Sequence, residues 1–159
     1  MRVKKLTNQE TRVKFCNAFL LGKINYALML FFNARKADQQ KLHSIYMKIA
    51  RNCHAVYPFK QTNAKVLAAL KWLKMEELIK VRVLNFTHSV LINKKPDFIY
   101  NNLIIPQRTS KDIRYKNNFK IKNIFPNFIK LYNKLPGEYR GYNRKGFKSK
   151  IKKQVKNLT

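Results

Sequence analysis

The fold is decided by residues 36–56, which read KADQQKLHSIYMKIARNCHAV. The apolar residues of this stretch recur at intervals of three and four, and they are Leu42, Ile45, Tyr46, Ile49, Cys53 and Val56. Such spacing places the side chains on one face of an α-helix. Pro58 follows, and proline cannot continue a helix. The stretch therefore predicts one long amphipathic helix that buries a single stripe.

Helical patterns extend on both sides of this stretch. They predict one long helix over residues 8–32, or two with a break near Gly22, and further helices over 64–72, from Met75, over 127–133 and after Asn143. Residues 96–124 contain Pro, paired Asn and short apolar bursts, which indicate an extended connection with a few strand-like or single-turn pieces. The sequence thus predicts a mainly α fold, an irregular helical bundle with a basic C-terminal helix.

Three regions follow from these patterns. We expect a helical region over residues 1–95, the extended connection over 96–124, and a C-terminal helical segment over 125–159 that docks on the first region. In the last helix, Phe147, Ile151, Val155 and Leu158 line one side. Leu131 and Leu135 share a face of the short helix that precedes the last helix, and Pro136 ends this short helix.

The charge of the chain points to an anionic partner. Among 159 residues, 35 are Lys or Arg and 7 are Asp or Glu, which gives a net charge of +28. Apolar residues make up 45% of the chain, enough for a core, so a fully disordered basic tail is excluded. Nucleic acid is the obvious partner, because its phosphates attract Lys and Arg without regard to sequence. An acidic membrane surface or a merely solvated basic surface are the alternatives.

Catalytic chemistry is missing from the sequence. The only adjacent acids, Glu76 and Glu77, diverge by about 100° on a helix and so cannot share a metal pair. Phosphate-binding loops and nucleophile elbows are absent as motifs. The possible zinc ligands lack metal-binding spacing, and they are Cys16, His43, Cys53 and His54. We therefore expect no catalytic site, metal, cofactor or small-molecule substrate, and two free thiols suited to a reducing compartment.

Candidate phosphate-binding cations fall in three places. Lys41 and Lys48 lie on the same side of the predicted helix, with Arg51 further round; the remaining candidates are Arg114, Lys116, Lys120, Arg144, Lys148 and Lys152. Each row is either a phosphate-binding surface or a solvated face. Tyr115, Phe119 and Tyr142 are interleaved with these cations. Such aromatics either stack on single-stranded bases or pack the connection onto the helices.

A family resemblance lies near the C-terminus. Residues 131–136 read LYNKLP, and Phe147-Lys148 follows. The pair resembles the signature "[LV]-[WY]-N-x-L-P … FK" downstream of the polymerase core in reverse transcriptases of non-LTR (LINE/jockey-like) retrotransposons. Four more segments resemble that region in the same order, at residues 21–31, 39–51, 68–84 and 113–121. Tyr132 stands where Trp is common, and the aromatic-x-Asp-Asp palm motif is missing.

The resemblance implies the thumb and the region after it, without the palm. A thumb of this family is helical and grips the template–primer backbone, so the partners implied are RNA, DNA or a hybrid, and an absent polymerase core. The parent activity would be RNA-directed DNA polymerase, with this chain not an enzyme by itself. Leu131, Tyr132, Leu135 and Pro136 would form a structural motif.

Three rival interpretations stand beside this one. They are a basic helical RNA-binding protein of the ribosome-associated type, a peripheral membrane protein that uses the last helix, and a non-functional relic of the element. The spread of apolar positions along the whole chain and the single Trp disfavour the membrane alternative. The polar stretch after Met1 is unlike a secretory signal, so we expect an intracellular protein of the nucleus or cytoplasm, not a secreted one.

Overall fold

The computed structural model describes residues 8–54, 61–106, 112–116 and 124–155, without the side chains of Leu20 and Tyr26. This part of the chain is mainly helical, as predicted. Its α-helices are α1 (Gln9–Phe15), α2 (Leu21–Ala27), α3 (Lys36–His54), α4 (Asn63–Ala69), α5 (Met75–Asn93), α6 (Asp97–Tyr100), α7 (Ile124–Asn133) and α8 (Arg144–Gln154). A π-helical turn spans Cys16–Leu20, and 3-10 helices span Leu28–Asn33 and Gly137–Gly141.

The predicted extended connection contains the short α6 and two strands, β1 (Leu103–Ile104) and β2 (Arg114–Tyr115). The strands are antiparallel, with Leu103 opposite Tyr115 and Ile104 opposite Arg114. By its contacts the chain divides into two compact units, Met1–Leu78 and Ile79–Thr159. The division falls inside α5, and each unit is described by itself below.

The first unit begins with a continuous helical run. Asn8 caps α1, since its side chain accepts a hydrogen bond from the Thr11 amide at 2.8 Å. The backbone continues through Gly22 in helical form, and it changes type at Cys16, Leu21 and Leu28. One long helix was therefore the nearer of the two predicted forms, although its first half contains the π-helical turn.

Helix α3 buries a wider stripe than its spacing predicts. The buried side chains are Leu42, Tyr46, Met47, Ile49, Ala50 and Cys53. Ile45, predicted to be buried, is 50% exposed. Because Ile45 and Met47 lie about 100° to either side of Tyr46, the helical period does not distinguish them. Neighbouring elements cover Met47 and leave Ile45 in water; Val56 and Pro58 lie outside the described residues.

Helix α4 ends in a hydrogen-bonded cap. The Trp72 amide donates to Leu67 O at 2.9 Å, and the Lys71 amide donates to Ala68 O at 3.0 Å. This pair of bonds is the Schellman pattern, which needs a residue of positive φ at the turn. Lys71 takes that position with φ of 56°, where glycine is the usual residue.

The second unit packs its helices on the C-terminal half of α5. Helix α5 is buried on several sides rather than along one stripe, at Ile79, Val81, Val83, Leu84, Thr87, His88 and Val90. Phe86 contributes to this packing, because its ring lies edge-on to Phe128 of α7 with centroids 6.3 Å apart. Within the second unit, Phe86 and His88 of α5 thus contact rings of both α7 and α8.

Helix α8 follows the pattern read from its sequence. Asn143 caps it, with its side chain accepting a hydrogen bond from the Gly146 amide at 2.8 Å. Phe147, Ile151 and Val155 form its buried side. Leu158 lies outside the described residues. The cationic residues between these positions remain exposed.

Candidate nucleic-acid interface

The cations of α3 have different surroundings. Lys41 and Lys48 are exposed and seven residues apart, so they lie on one side of the helix, about 10 Å apart along its axis. Arg51 is half-buried, and its guanidinium donates to Asn63 Oδ1 at 2.7 Å and to Gln61 O at 3.2 Å. Arg51 therefore ties the end of α3 to the start of α4, while the two lysines face solvent.

The cations of α8 form a row. Arg144, Lys148 and Lys152 are all exposed and follow each other at intervals of four residues. Successive members of such a row rise about 6 Å along the helix axis and lie on nearly the same face. Since Phe147 and Ile151 fix the neighbouring side of the helix in the core, the row has a defined direction. It presents three positive charges to any ligand that approaches α8.

The connection contributes two more cations. Arg114 and Lys116 are exposed at β2 and directly after it. The Lys116 ammonium donates to Asn101 O at 2.9 Å, and its amide donates to Asn102 O at 2.9 Å. Lys120 lies outside the described residues. The candidate cations that the structure describes thus belong to three elements, which are α3, β2 and α8.

The aromatics next to these cations pack against other rings. Tyr115 stacks on Phe125 with centroids 6.5 Å apart and an angle of 17° between the planes. Tyr142 meets Tyr139 edge-on at 5.6 Å, and the Lys150 ammonium lies 4.1 Å from the centre of the Tyr142 ring. A hydrogen bond to the Tyr142 hydroxyl raises the pKa of Lys150. For Tyr115 and Tyr142 these contacts favour packing over base stacking; Phe119 lies outside the described residues.

A buried histidine, His88, lies in the second unit; the sequence offers it no partner carboxylate and indicates a structural role. The His88 ring stacks on Phe147 with centroids 3.8 Å apart. Its Nε2 lies 3.0 Å from Tyr142 O, and its Nδ1 lies 2.9 Å from the Tyr132 hydroxyl. A carbonyl only accepts, so Nε2 carries the proton and donates, while Nδ1 accepts from Tyr132. Burial lowers the pKa of His88, and the hydrogen bond to Tyr142 opposes this shift.

The predicted structural motif at residues 131–136 joins this cluster. Leu131, Tyr132 and Leu135 are buried, whereas Pro136 is exposed at the end of the segment. Burial raises the pKa of Tyr132 to about 12, although the positive charge of Arg140 acts in the opposite direction. The hydroxyl therefore stays protonated and donates to His88 over the whole physiological range.

Asn133, inside the same motif, clamps the connection. Its Nδ2 donates to Ile113 O at 2.8 Å, and its Oδ1 accepts from the Ile113 amide at 3.2 Å. The side-chain amide thus satisfies both backbone groups of Ile113, as a neighbouring strand would. The motif could be recognised in the sequence. The residues that it bonds, Ile113 and His88, lie 20 and 44 residues away, so the local sequence did not indicate them.

The two cysteines lie together in the first unit. Cys16 and Cys53 are both buried and unbridged. Cys53 Sγ donates to Arg12 O at 3.8 Å, and the Arg12 guanidinium donates to Cys53 O at 3.2 Å. Burial, and next the hydrogen bond to Cys16, raise the pKa of the Cys53 thiol. Both side chains serve as small apolar groups in this core.

Within the described ranges, no three His, Cys, Asp or Glu side chains come close enough to hold a metal ion. Nor does any helix in those ranges have the length and apolar character needed to cross a bilayer. Comparison of the chain with protein-family models, with curated proteins and with solved structures gives no match.

Proposed function

We propose that the chain is a nucleic-acid-binding, non-catalytic fragment of the thumb and following region of a retrotransposon reverse transcriptase. The observation that carries the binding part is the charge of +28 together with the exposed rows on α3 and α8. Both helices bury a stripe of apolar side chains, so their cations have fixed directions. Such rows suit contacts to phosphates and not to base edges.

The resemblance at residues 131–136 supports the assignment to a reverse transcriptase. Its apolar members are buried, and Tyr132 and Asn133 each bond a distant segment. A motif of this kind has a structural role and contributes nothing to catalysis. The resemblance also favours this proposal over a basic RNA-binding protein unrelated to transposons.

Binding is tested by titrating a labelled duplex or RNA–DNA hybrid at several salt concentrations. The logarithm of affinity should fall linearly with the logarithm of salt, by about 0.9 per phosphate contact for B-DNA. Changing Arg144, Lys148 and Lys152 to Gln should make this slope shallower. The matched control changes the exposed Lys65, Lys74 and Lys130 to Gln, which removes the same charge elsewhere. Salt-insensitive binding, or tight binding of one sequence alone, contradicts the proposal.

The polymerase part is tested separately. We expect no primer extension by the purified chain with an RNA template, dNTPs and Mg²⁺ or Mn²⁺, because two-metal catalysis needs close carboxylates. The genomic sequence that precedes the codon of Met1 tests the family assignment. An aromatic-x-Asp-Asp reading frame there, intact or broken, supports it, and unrelated sequence contradicts it.

A further inference from the structure

Two phenylalanines lie side by side on the surface of the first unit. Phe15 is 56% exposed and Phe19 is 60% exposed. Their ring centroids are 4.9 Å apart, with 35° between the planes. Two large apolar rings in contact and open to water form a small exposed apolar surface and are not part of the core.

The backbone fixes the position of this pair. Phe15 ends α1, and Phe19 lies in the π-helical turn that follows. π-Helical turns occur frequently at functional sites. Cys16, between the two rings in sequence, is buried beside Cys53, which anchors the inner side of the turn. The rings are therefore presented on a helical support with its own core contacts.

The charge around the pair selects the occupant. Residues 11–37 contain five cations and no acid, the cations being Arg12, Lys14, Lys23, Arg35 and Lys36. The two acids that flank this segment are paired with two of these cations, Glu10 with Lys14 at 2.7 Å and Asp38 with Arg35 at 3.6 Å. Residues 10–38 therefore have a net charge of 5 − 2 = +3. A second copy of the chain, with a charge of +28, would be repelled. An occupant that is both flat and apolar and carries negative charge fits this surface best.

From this combination we infer that Phe15 and Phe19 form a stacking platform for unpaired bases of a single strand. The bases cover the exposed rings, and the attached phosphates lie among the cations of the same segment. The inference rests on the proposed function and adds to it a contribution to the binding free energy. This contribution requires bases but does not depend on their sequence. The cationic rows of α3 and α8 contribute only the part of the binding free energy that depends on phosphates.

The experiment compares two labelled single strands of equal length at one salt concentration, one with thymine at every position and one abasic throughout. Both have the same phosphates, so their affinity ratio isolates stacking. The unmodified chain should bind the thymine strand about five-fold or more tightly. In Phe15→Ala/Phe19→Ala this ratio should fall close to one while affinity for the abasic strand is unchanged. The control is Phe98→Ala, which removes an exposed phenylalanine of the second unit, and it should keep the ratio.

Equal affinity of the unmodified chain for both strands, with the salt dependence retained, overturns the platform and leaves the proposed function standing. Failure of both strands to bind also overturns the platform, and the titration with a duplex or hybrid then decides the proposed function by itself. An unchanged ratio in the double variant also overturns the platform, because the bases then stack on other residues.

The variant Phe19→Trp provides a test that does not depend on whether the double alanine variant folds. It keeps a ring at the platform, so it should retain the affinity ratio, and the added indole emission should be quenched by the thymine strand and not by the abasic one. Loss of the ratio without such quenching overturns the platform.

Discussion

Two tyrosines, one in each unit, are equally buried and are bonded differently. Tyr46 and Tyr132 are each 1% exposed, and burial raises the pKa of both. The Tyr46 hydroxyl donates to a backbone carbonyl, Leu73 O, at 2.8 Å. The Tyr132 hydroxyl donates to the imidazole of His88. The same buried residue type therefore makes the first unit indifferent to acid at this point and the second unit sensitive to it.

The largest expected effect comes from removing the buried side chain of Leu131, next to Tyr132 in the sequence. Leu131→Ala should destabilise the chain by about 2–5 kcal/mol, since Leu131 is buried and its loss leaves a cavity. Lys134→Ala, at an exposed position of the same segment, should leave the melting temperature nearly unchanged. Thermal unfolding of both variants measures the difference. If Leu131→Ala melts like the unmodified chain, the docking of this face is wrong.

The next test removes each hydroxyl in turn. Tyr132→Phe leaves the buried Nδ1 of His88 without a donor and should cost about 1–3 kcal/mol. Tyr46→Phe should cost about 0.5–1.5 kcal/mol, because its bond is only part-buried and water can reach the freed carbonyl. Urea unfolding compares the two. If both variants lose the same free energy of unfolding, or Tyr46→Phe loses more, the two tyrosines do not differ in this way.

A smaller effect should appear on lowering the pH. Because the pKa of His88 is depressed below 6.5 in the folded chain, the unfolded chain takes up the proton first. The free energy of unfolding has its full value above pH 6.5 and declines as the pH falls below it. The decline ends once His88 of the folded chain is protonated too. The groups facing the ring are the Tyr132 hydroxyl, Tyr142 O and Phe147, with Arg140 lining the same cavity.

Urea midpoints at several pH values between about 5 and 7.5 measure this decline. His88→Gln should flatten it. The control His43→Gln, on α3 of the first unit, should keep the decline of the unmodified chain. A profile that is the same in all three proteins would assign the acid sensitivity to other groups.

The smallest effect concerns the first unit alone. Lys71→Gly should stabilise the chain by about 0.5–1 kcal/mol, because glycine adopts a positive φ without the steric cost that lysine bears. Lys65→Gly, inside α4, should destabilise it by about the same amount. The dependence on pH should stay the same in both, since neither touches the His88 cluster. Calorimetry or urea unfolding would show the opposite signs.

Helices and caps were the part of this molecule that could be predicted from sequence. Local spacing predicts α3 and α8, and Asn143 caps its helix as its position indicated, because these features depend on neighbours a few residues away. Ile45 was misplaced because the edge of a buried face is decided by other elements. The sequence indicated a structural role for His88 but not its hydrogen-bond partners, since these lie 44 and 54 residues distant.

The surroundings of the candidate phosphate-binding residues were only partly predictable. Lys41 and Lys48 are exposed as expected, since charged side chains favour water. The sequence could not show that Arg51 bonds Asn63, because that bond depends on the turn between α3 and α4. It also could not show that Phe15 and Phe19 stay outside the core, because an apolar residue on a helix is usually covered.

The clamp made by Asn133 has a genetic consequence. It requires a carbonyl-type acceptor and an N–H donor on one planar group of fixed reach, because both backbone groups of Ile113 are engaged at once. Of the twenty amino acids only Asn and Gln carry such a group, and Gln is longer by a methylene. No single-nucleotide change converts an Asn codon into a Gln codon, so every one-step replacement at this codon breaks the clamp. A sequence drifting without selection would lose this contact by any missense change there, whereas surface lysines would drift with little effect on the fold.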